Sequence, residues 1–379
     1  MRSPRRKGSV DVTPDKARTH SAVWSAIRLR ADLISSMPVE CYRTLSNGLE
    51  IVSAAPPVLV TPATHGPGQP QDIASWIYAT QSDLDSVGNA YGIITAVDGY
   101  GLPAQIQLVQ ASDVTVSVRG GQVTAYKVGK EVYKPEQIWH ERQYEISGVP
   151  VGLSPIAYAA ASIGGYLSAQ QFALDWFGNG ATPSAILKNS KRVLNKEEAA
   201  LTKRTFMASV QNGEPFVTGM DWDYSTLGAK AAETQFLEEM KYSLSDIARF
   251  FGVPADMIDA PVESGSMTYA NISQRNLQLL IMNIGPAVGR RERALSRLLP
   301  NPRRVNLDEK ALLRMDPQTR QTVLASRVTA RTLTVDEARA EDNLPPLTAE
   351  QIAQMKNIFG TAPANAAPGA VATAEGAHA

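Results

Sequence analysis

The chain has 379 residues, of which 44% are hydrophobic and 20% are charged, a composition typical of globular proteins with room for two or three domains. Its 37 basic residues balance its 37 acidic residues, so no overall field attracts it to nucleic acid. Cys41 is the only cysteine, which excludes an intrachain disulfide and a cysteine-built metal site. The start has no apolar signal region and no stretch reaches the ~18 apolar residues of a membrane span, so we expect a soluble protein.

The N-terminal part begins with a polar segment, residues 1–17, that we interpret as a disordered arm. From residue 17 to residue 37 apolar side chains recur at helical spacing, and Pro38 ends that pattern. The composition then predicts a strand over 39–43, a proline-rich loop over 54–70 and a second helix over 73–87.

The next part is rich in β-branched residues interrupted by glycine and aspartate turns, which predicts an antiparallel meander. Its strands are predicted over 91–97, 104–109, 114–118, 123–128 and 137–142. Ser154-Pro155 then provides an N-cap and a first helical residue, and it predicts a long helix that ends at Gly178-Asn179-Gly180.

A small β-α-β module is predicted to follow, with a strand over 184–187, a helix opened by the capping box at Asn195 and Glu198, and extended chain over 216–227. A second long helix is predicted over 229–251 and a third over 273–299. Gly285-Pro286 predicts a kink in the third helix. After an extended link over 303–315, Asp316-Pro317 and Thr334 are predicted to cap two further helices, and the alanine-rich end is predicted to be disordered.

Sequence motifs for catalysis are missing. The phosphate-binding loop motif G-x-x-x-x-G-K-[ST] does not occur, and the Gly129-Lys130 pair lacks the upstream glycine of that motif. The four histidines are not spaced as a zinc-binding pair. We interpret His140 as a packed or surface histidine, and Ser264 as part of a flexible loop because the nucleophile motif G-x-S-x-G is absent. We therefore predict no catalytic, cofactor or metal site.

One stretch has a local excess of positive charge: 12 basic and 6 acidic residues lie between Arg290 and Arg339. Two interpretations stay open. The stretch is either a solvated helical surface with pairs at i and i+4 or a surface that meets phosphate or an acidic partner.

Several segments, in this order, resemble the portal protein family of long-tailed phages of the HK97 type. They are the opening helix and strand (21–43), Gly88-Asn89-Ala90-Tyr91, Gly152-Leu153-Ser154-Pro155, the turn from Phe177 to Pro183, the I-A-R-x-F-G-V-P segment (247–254), 267–271 and 333–337. The resemblance covers residues 20–345, and the chain is short for such proteins.

The resemblance implies an α+β portal fold, with a β-rich and helical wing, a long-helix stem, a small α/β clip, a kinked wing helix with a tunnel loop, and a helical crown. The implied boundaries are a disordered arm (1–17), wing (18–153), stem helix (154–180), clip (181–228), stem helix (229–253), tunnel loop (254–271), kinked wing helix and strand (272–315), crown (316–358) and disordered tail (359–379).

The resemblance also implies a dodecameric ring in the virion, at the portal vertex of the capsid, assembled in the bacterial host cytoplasm. Its implied partners are double-stranded DNA passing non-specifically through the channel, the terminase large subunit, the head–tail adaptor, and the major capsid and scaffolding proteins; no membrane is involved. We predict that the DNA channel is narrowed by Val262, Glu263, Ser264, Gly265, Ser266, Met267, Thr268 and Tyr269. We predict that the clip docks its partners through Lys188, Lys191, Arg192, Lys203 and Arg204.

Two alternatives remain for the function: another ring-forming capsid or connector protein without a DNA channel, and a hydrolase with an unrecognised site. A dodecamer would favour the portal interpretation, and an activity that survives in the monomer would favour the hydrolase.

Overall fold

A computed structural model describes most of the chain, which divides into two compact units, Met1–Leu312 and Leu313–Ala379. Each unit is described by itself. The described residues are 12–45, 48–52, 55–66, 68–178, 185–189, 191, 193–212, 221–226, 243–258, 269–309, 317–342 and 344–359.

The first unit begins with a short helix, α1 (Pro14–Arg18), that the sequence did not predict. The Thr13 hydroxyl caps it by accepting a hydrogen bond from the Lys16 amide at 3.3 Å, and Ala17 is fully buried. The predicted disordered arm over 1–17 is therefore wrong for its last residues, because Ala17 packs with Val23 and Ile27 in a buried apolar cluster and the cap adds to that packing. Residues 1–11 lie outside the described part.

Two longer helices follow, α2 (Ser21–Ser35) and α3 (Ile73–Val87), and α3 has the bounds that the sequence predicted. The Asp72 carboxylate accepts a hydrogen bond from the Ser75 amide at 2.6 Å, which caps the first turn of α3. Gly88 ends α3 in the left-handed conformation, with φ of 76°. The side chain of Trp76 on α3 is fully buried, which stabilises the fold by roughly 2–3 kcal/mol.

The strands form small antiparallel sheets rather than one meander. The strand bounds are β1 (Val39–Leu45), β2 (Gly48–Ile51), β3 (Ala63–Gly66), β4 (Gln69–Gln71), β5 (Asn89–Val97), β6 (Pro103–Val109), β7 (Val114–Arg119), β8 (Gln122–Val128), β9 (Glu131–Tyr133), β10 (Ile138–Arg142), β11 (Ala185–Asn189), β12 (Trp222–Thr226) and β13 (Arg303–Leu307). The sheet orders are β13-β1-β2, β10-β5-β6, β7-β8-β9, β3-β4 and β11-β12.

The predicted meander is wrong in its connectivity although its five strands are present. β10 does not join the β7-β8-β9 sheet but pairs with β5, so that Ile138 lies opposite Ile93 and Arg142 lies opposite Asn89. Strand pairing over this sequence distance depends on tertiary packing, which local patterns do not encode. Tyr91, Tyr126 and Ile138 form the apolar cluster where residues of the two sheets meet.

The remaining elements of the first unit are mostly helical. They are α4 (Pro155–Gly178), α5 (Lys196–Asn212), α6 (the described helical residues, 243–251), α7 (Tyr269–Gln278) and α8 (Gly285–Ser296). The capping box at Asn195 and Glu198 is present, because the Asn195 side chain accepts from the Glu198 amide and the Glu198 side chain accepts from the Asn195 amide.

A π-helical turn, Leu279–Ile284, joins α7 to α8. The Gly285 amide donates to the Leu280 carbonyl, five residues back, at the point where Pro286 has no amide to donate. A π turn therefore directly precedes Gly285-Pro286, where the sequence predicted a kink.

The second unit contains α9 (Pro317–Thr329), α10 (Val335–Glu341) and α11 (Ala349–Phe359). Thr334 begins α10 with a complete capping box to Glu337, as the sequence predicted. The predicted disordered tail overlaps the end of α11 at Phe359, and its other residues lie outside the described part. No described helix is both long and apolar enough to cross a membrane.

Candidate functional site

Two of the motifs that resemble portal proteins, Gly88-Asn89-Ala90-Tyr91 and Gly152-Leu153-Ser154-Pro155, meet in a buried junction at the start of α4. The Asn89 side-chain oxygen accepts a hydrogen bond from the Gly152 amide at 2.7 Å, and its NH₂ group donates to the Gly152 carbonyl at 3.0 Å. The same NH₂ group also donates to the Val87 carbonyl at 2.9 Å. One asparagine thus satisfies both backbone polar groups of Gly152, and it ties the end of α3 to the residue two positions before the cap of α4.

The junction needs glycine at both of its backbone crossings. A Cβ atom on Gly152 would lie 2.0 Å from the Gly88 carbonyl oxygen and 2.4 Å from the Gln143 carbonyl oxygen. A Cβ atom on Gly88 would lie 2.0 Å from the Leu153 carbonyl oxygen, in addition to the strain of its positive φ. The two motifs are therefore parts of one steric arrangement.

His140 continues this hydrogen-bonded junction. Its Nε2 atom lies 3.0 Å from the Asn89 oxygen and its Nδ1 atom 3.0 Å from the Tyr126 hydroxyl. Because the Gly152 amide fixes the orientation of the Asn89 side chain, Nε2 must carry the proton and Nδ1 must accept from Tyr126. Burial, with a smaller contribution from Arg142, lowers the pKa of His140 to about 3, so the ring is neutral and structural.

The first predicted stem helix starts directly beyond this junction. The Ser154 hydroxyl accepts from the Ala157 amide at 3.1 Å and donates to the Ser86 carbonyl at 3.0 Å, so the predicted N-cap of α4 is also fastened to α3. Further along α4, the Ser162 hydroxyl donates to the Asp246 carboxylate at 2.5 Å. This contact places α4 beside α6, the described end of the second predicted stem helix.

Apolar residues at the junction end of both predicted stem helices, α4 and α6, pack against α2. The I-A-R-x-F-G-V-P segment contributes Ile247 and Phe251, which are at most 1% exposed. Gly252 then ends α6 at φ of 63°, and its carbonyl accepts from the Asn283 side chain in the π turn at 2.8 Å. The cluster includes Val23, Ala26, Ile27, Ile156, Ala159, Ile163, Ile247, Phe251 and Val253.

Two buried ion pairs near the junction hold α2, α3, β10 and α8 together, and the sequence analysis missed both. Arg30 contacts Asp85 at 3.1 Å and Arg291 contacts Glu141 at 2.5 Å, with every one of these side chains at most 7% exposed. Arg291 also donates to the Thr80 hydroxyl at 2.7 Å. A usable signal existed, because Arg30 falls on the apolar stripe of α2 and Arg291 falls among the apolar positions of α8.

The predicted clip docking residues are divided between the β11-β12 sheet and a helix. Lys188 is exposed on β11, and Lys191, just beyond the end of β11, forms an ion pair with Asp221 at 2.6 Å. Lys203 and Arg204 are exposed neighbours on α5, so their side chains diverge by about 100° around the helix. Arg192 lies outside the described residues. The pair with Asp221 neutralises part of the positive charge predicted for this surface.

Of the predicted tunnel loop (254–271), the structure describes 254–258 and 269–271, and the predicted channel residues 262–268 lie outside the described part. Residues 255–258 form a 3₁₀ turn, and Tyr269, the last of the predicted channel residues, is the first residue of α7 rather than part of a loop. Within the parts of the chain that the structure describes, no group of three histidine, cysteine, aspartate or glutamate residues is placed to hold a metal ion.

The chain is similar to known proteins over nearly its whole length. A family model described as phage portal protein matches residues 21–343. The portal protein of Enterobacteria phage HK97 is 26% identical over 362 residues, covering 91% of this chain and 84% of that protein. The probable portal protein of Streptomyces phage phiC31 is 27% identical over 362 residues, covering 89% of this chain and 77% of that protein.

Solved structures with a similar fold include the following two. One is the crystal structure of an HK97 family phage portal protein from Corynebacterium diphtheriae, with a TM-score of 0.62 and 18% identity, covering 81% of this chain and all of that one. The other is a chain in the neck of a native gene transfer agent particle computed with C12 symmetry, with a TM-score of 0.57 and 21% identity, covering 88% of this chain and 93% of that one.

Proposed function

Because this chain belongs to the phage portal protein family, we propose that it is the subunit of a ring at one capsid vertex through which double-stranded DNA enters and leaves. The observation that carries the proposal is the family match, which runs from α2 to α10. The similar fold of a chain in a particle neck with C12 symmetry supports a ring of about twelve subunits. The role is structural, and a separate terminase supplies the energy that moves DNA.

The junction gives this ring subunit a rigid base for its stem. The Asn89–Gly152 hydrogen bonds, the Ser154 cap and the buried cluster on α2 fix the direction in which α4 leaves the wing. A stem held by buried hydrogen bonds and close packing transmits the position of the wing to the module between α4 and α6. We propose that this module, residues 181–228, docks the terminase large subunit during packaging and the head–tail adaptor afterwards.

The docking surface can be tested by charge reversal at exposed positions. The double change Lys203→Glu and Arg204→Glu on α5 should weaken terminase binding at least tenfold while ring assembly is unchanged. The matched control is Lys127→Glu with Lys134→Glu, which reverses two exposed lysines near the β7-β8-β9 sheet. Equal binding by both double variants in a pull-down titration would contradict the docking assignment.

The channel proposal concerns residues 262–269. The absence of basic residues from this segment suits a surface along which DNA slides, because each contact between a basic side chain and a phosphate adds salt-dependent affinity. Deleting the segment should reduce packaging or genome retention while rings still form. Unchanged packaging of genome-length DNA by the deletion variant would contradict it.

The ring itself is tested by native mass spectrometry together with negative-stain microscopy of the purified chain. We expect closed rings of about twelve subunits around an open channel. A chain that stays monomeric at high concentration, and also in the presence of the major capsid and scaffolding proteins that we propose as its partners, would contradict the proposed function. The proposed location is the portal vertex of the virion, after assembly in the host cytoplasm.

A further inference from the structure

A cavity of about 390 Å³ lies between β10, the residues that follow it, and one face of α8. Its charged lining comprises four arginines and two glutamates, and its walls include Trp139, Tyr144 and Leu298. The charged residues are Glu141, Arg142, Glu145, Arg290, Arg293 and Arg297. The cavity lined by these residues is here called the arginine cavity.

The two glutamates of the arginine cavity are already engaged. Glu141 pairs with the buried Arg291 at 2.5 Å, and Glu145 pairs with Arg142 at 3.0 Å. Among the described residues no carboxylate forms an ion pair with the remaining three arginines, which lie at i, i+3 and i+7 on α8 and so cover an arc of about 60°. The cavity therefore has a surplus of guanidinium groups facing an open volume.

Arg290 is the most buried of these three arginines. Its Nε atom is buried and has no hydrogen-bond partner among the described residues. Its guanidinium group lies 5.8 Å from the ring centre of Tyr144, a cation–π contact that holds it at the cavity wall. Burial is the largest cause that lowers the pKa of Arg290, and the charges of Arg30 and Arg293 act in the same direction, whereas Tyr144 and Asp85 act in the opposite direction. A bound carboxylate would supply the missing acceptor and offset this repulsion.

Carboxylates lie on the opposite side of α8, at or near strands β13 and β1. Glu292, about 160° around the helix from Arg290, accepts a hydrogen bond from the Leu307 amide on β13 at 2.9 Å. Asp308 and Glu309 follow β13 directly, and Glu40 lies on the neighbouring strand β1, where Asn306 is its cross-strand partner. A hydrogen bond with Glu40, burial and the negative charges of Glu40 and Asp308 raise the pKa of Tyr42 to about 12.

A closed ring of identical subunits needs two different surfaces that are complementary, because each subunit contacts its neighbours head to tail. The chain has no net charge, and α8 separates a surplus of arginine on one side from carboxylates on the other. We propose that the arginine cavity of one subunit binds carboxylate side chains of a second copy of this chain, its neighbour in the ring. This inference rests on the ring of the proposed function and adds the chemistry of the subunit contact.

Duplex DNA fits the arginine cavity less well than a protein neighbour does. A duplex is a convex rod with phosphates along its surface, and it contacts protruding side chains. A recess with a half-buried arginine and aromatic walls admits a single side chain or a loop instead. The carboxylate of such a side chain would form charge-assisted, bidentate hydrogen bonds with a guanidinium group.

Assembly of charge-neutralised variants is the first test. Half-assembly concentrations of rings would be measured by mass photometry for the unmodified chain, for Arg290→Gln/Arg293→Gln/Arg297→Gln, and for the matched control Lys127→Gln/Lys130→Gln/Lys134→Gln, which changes three exposed lysines near the β7-β8-β9 sheet. We expect the cavity variant to need at least tenfold more protein and the control to match the unmodified chain. Equal assembly by the cavity variant would overturn the inference. Failure of the unmodified chain to form rings would instead count against the proposed function.

A cross-linking test covers the case in which the triple variant does not fold. Arg293→Lys keeps the positive charge and places a primary amine at the cavity, where a water-soluble carbodiimide joins amines to carboxylates in direct contact. In mixed rings of light and ¹⁵N-labelled subunits, we expect a new amide between position 293 of one subunit and a glutamate or aspartate of the other. Intact rings that give no such link, or links only to Glu141 or Glu145 of the same subunit, would overturn the inference.

Discussion

Replacing Asn89 by alanine is the sharpest test of the junction from which α4, the first predicted stem helix, begins. The change removes the acceptor of the Gly152 amide, the donor to the Gly152 carbonyl, the donor to Val87 and the contact with His140. Asn89 is only 8% exposed, so water cannot take over these contacts without opening the structure.

The magnitude follows from the groups that lose their partners. Each buried polar group left unsatisfied costs about 1–3 kcal/mol, and the alanine variant leaves the amide and the carbonyl of Gly152 in that state. Loss of the acceptor for the His140 ring adds to this. We therefore expect Asn89→Ala to lower the free energy of unfolding by about 3–4 kcal/mol.

The assay is urea unfolding at fixed subunit concentration, together with hydrogen exchange at the first turns of α4. The matched control is Asn195→Ala, which removes an exposed asparagine that caps α5 and should cost about 1 kcal/mol. Hydrogen exchange should rise at the Gly152–Ala157 segment in the Asn89 variant alone. A loss no larger than that of the Asn195 variant, with unchanged exchange, would refute the junction as the anchor of α4.

Three further outcomes follow from the same region. Gly152→Ala would force its Cβ to within 2.0 Å of the Gly88 carbonyl, so it should lower the free energy of unfolding by about 1–3 kcal/mol or more in the same urea assay; an unchanged midpoint would contradict that contact. Arg291→Met should cost about 3–5 kcal/mol by stranding Glu141, whereas the double variant with Glu141→Leu should recover most of that loss, which a double-mutant cycle measures. Because the pKa of His140 falls from 6.5 to about 3 on folding, the folded state binds fewer protons than the unfolded state. The contribution of neutral His140 to the free energy of unfolding is therefore complete above pH 6.5 and is lost as pH falls towards 3. His140→Gln should flatten that part of the stability–pH curve, and an unchanged slope would contradict the assignment.

Local signals in the sequence determined the helices that have clear ends. Asp72 and Gly88 fix α3 at the predicted residues because one caps the first turn and the other adopts the left-handed conformation that ends it. The same holds for the capping boxes at Asn195 and Thr334, since each of these interactions is made within four residues. The resemblance to portal proteins, carried by short ordered motifs, is confirmed by the family match over 21–343.

Tertiary structure alone decided which strands pair, what the motifs do and which charges are buried. β10 pairs with β5 rather than with its predecessor because pairing of distant strands depends on packing, and this pairing brings His140 to Asn89. The glycines of the two motifs are required by a backbone contact between residues 64 positions apart, which neither motif expresses by itself. Arg291 and Arg293 belong to the same basic stretch, yet one is buried against Glu141 and the other lines an open cavity, because the helix turns them to different sides.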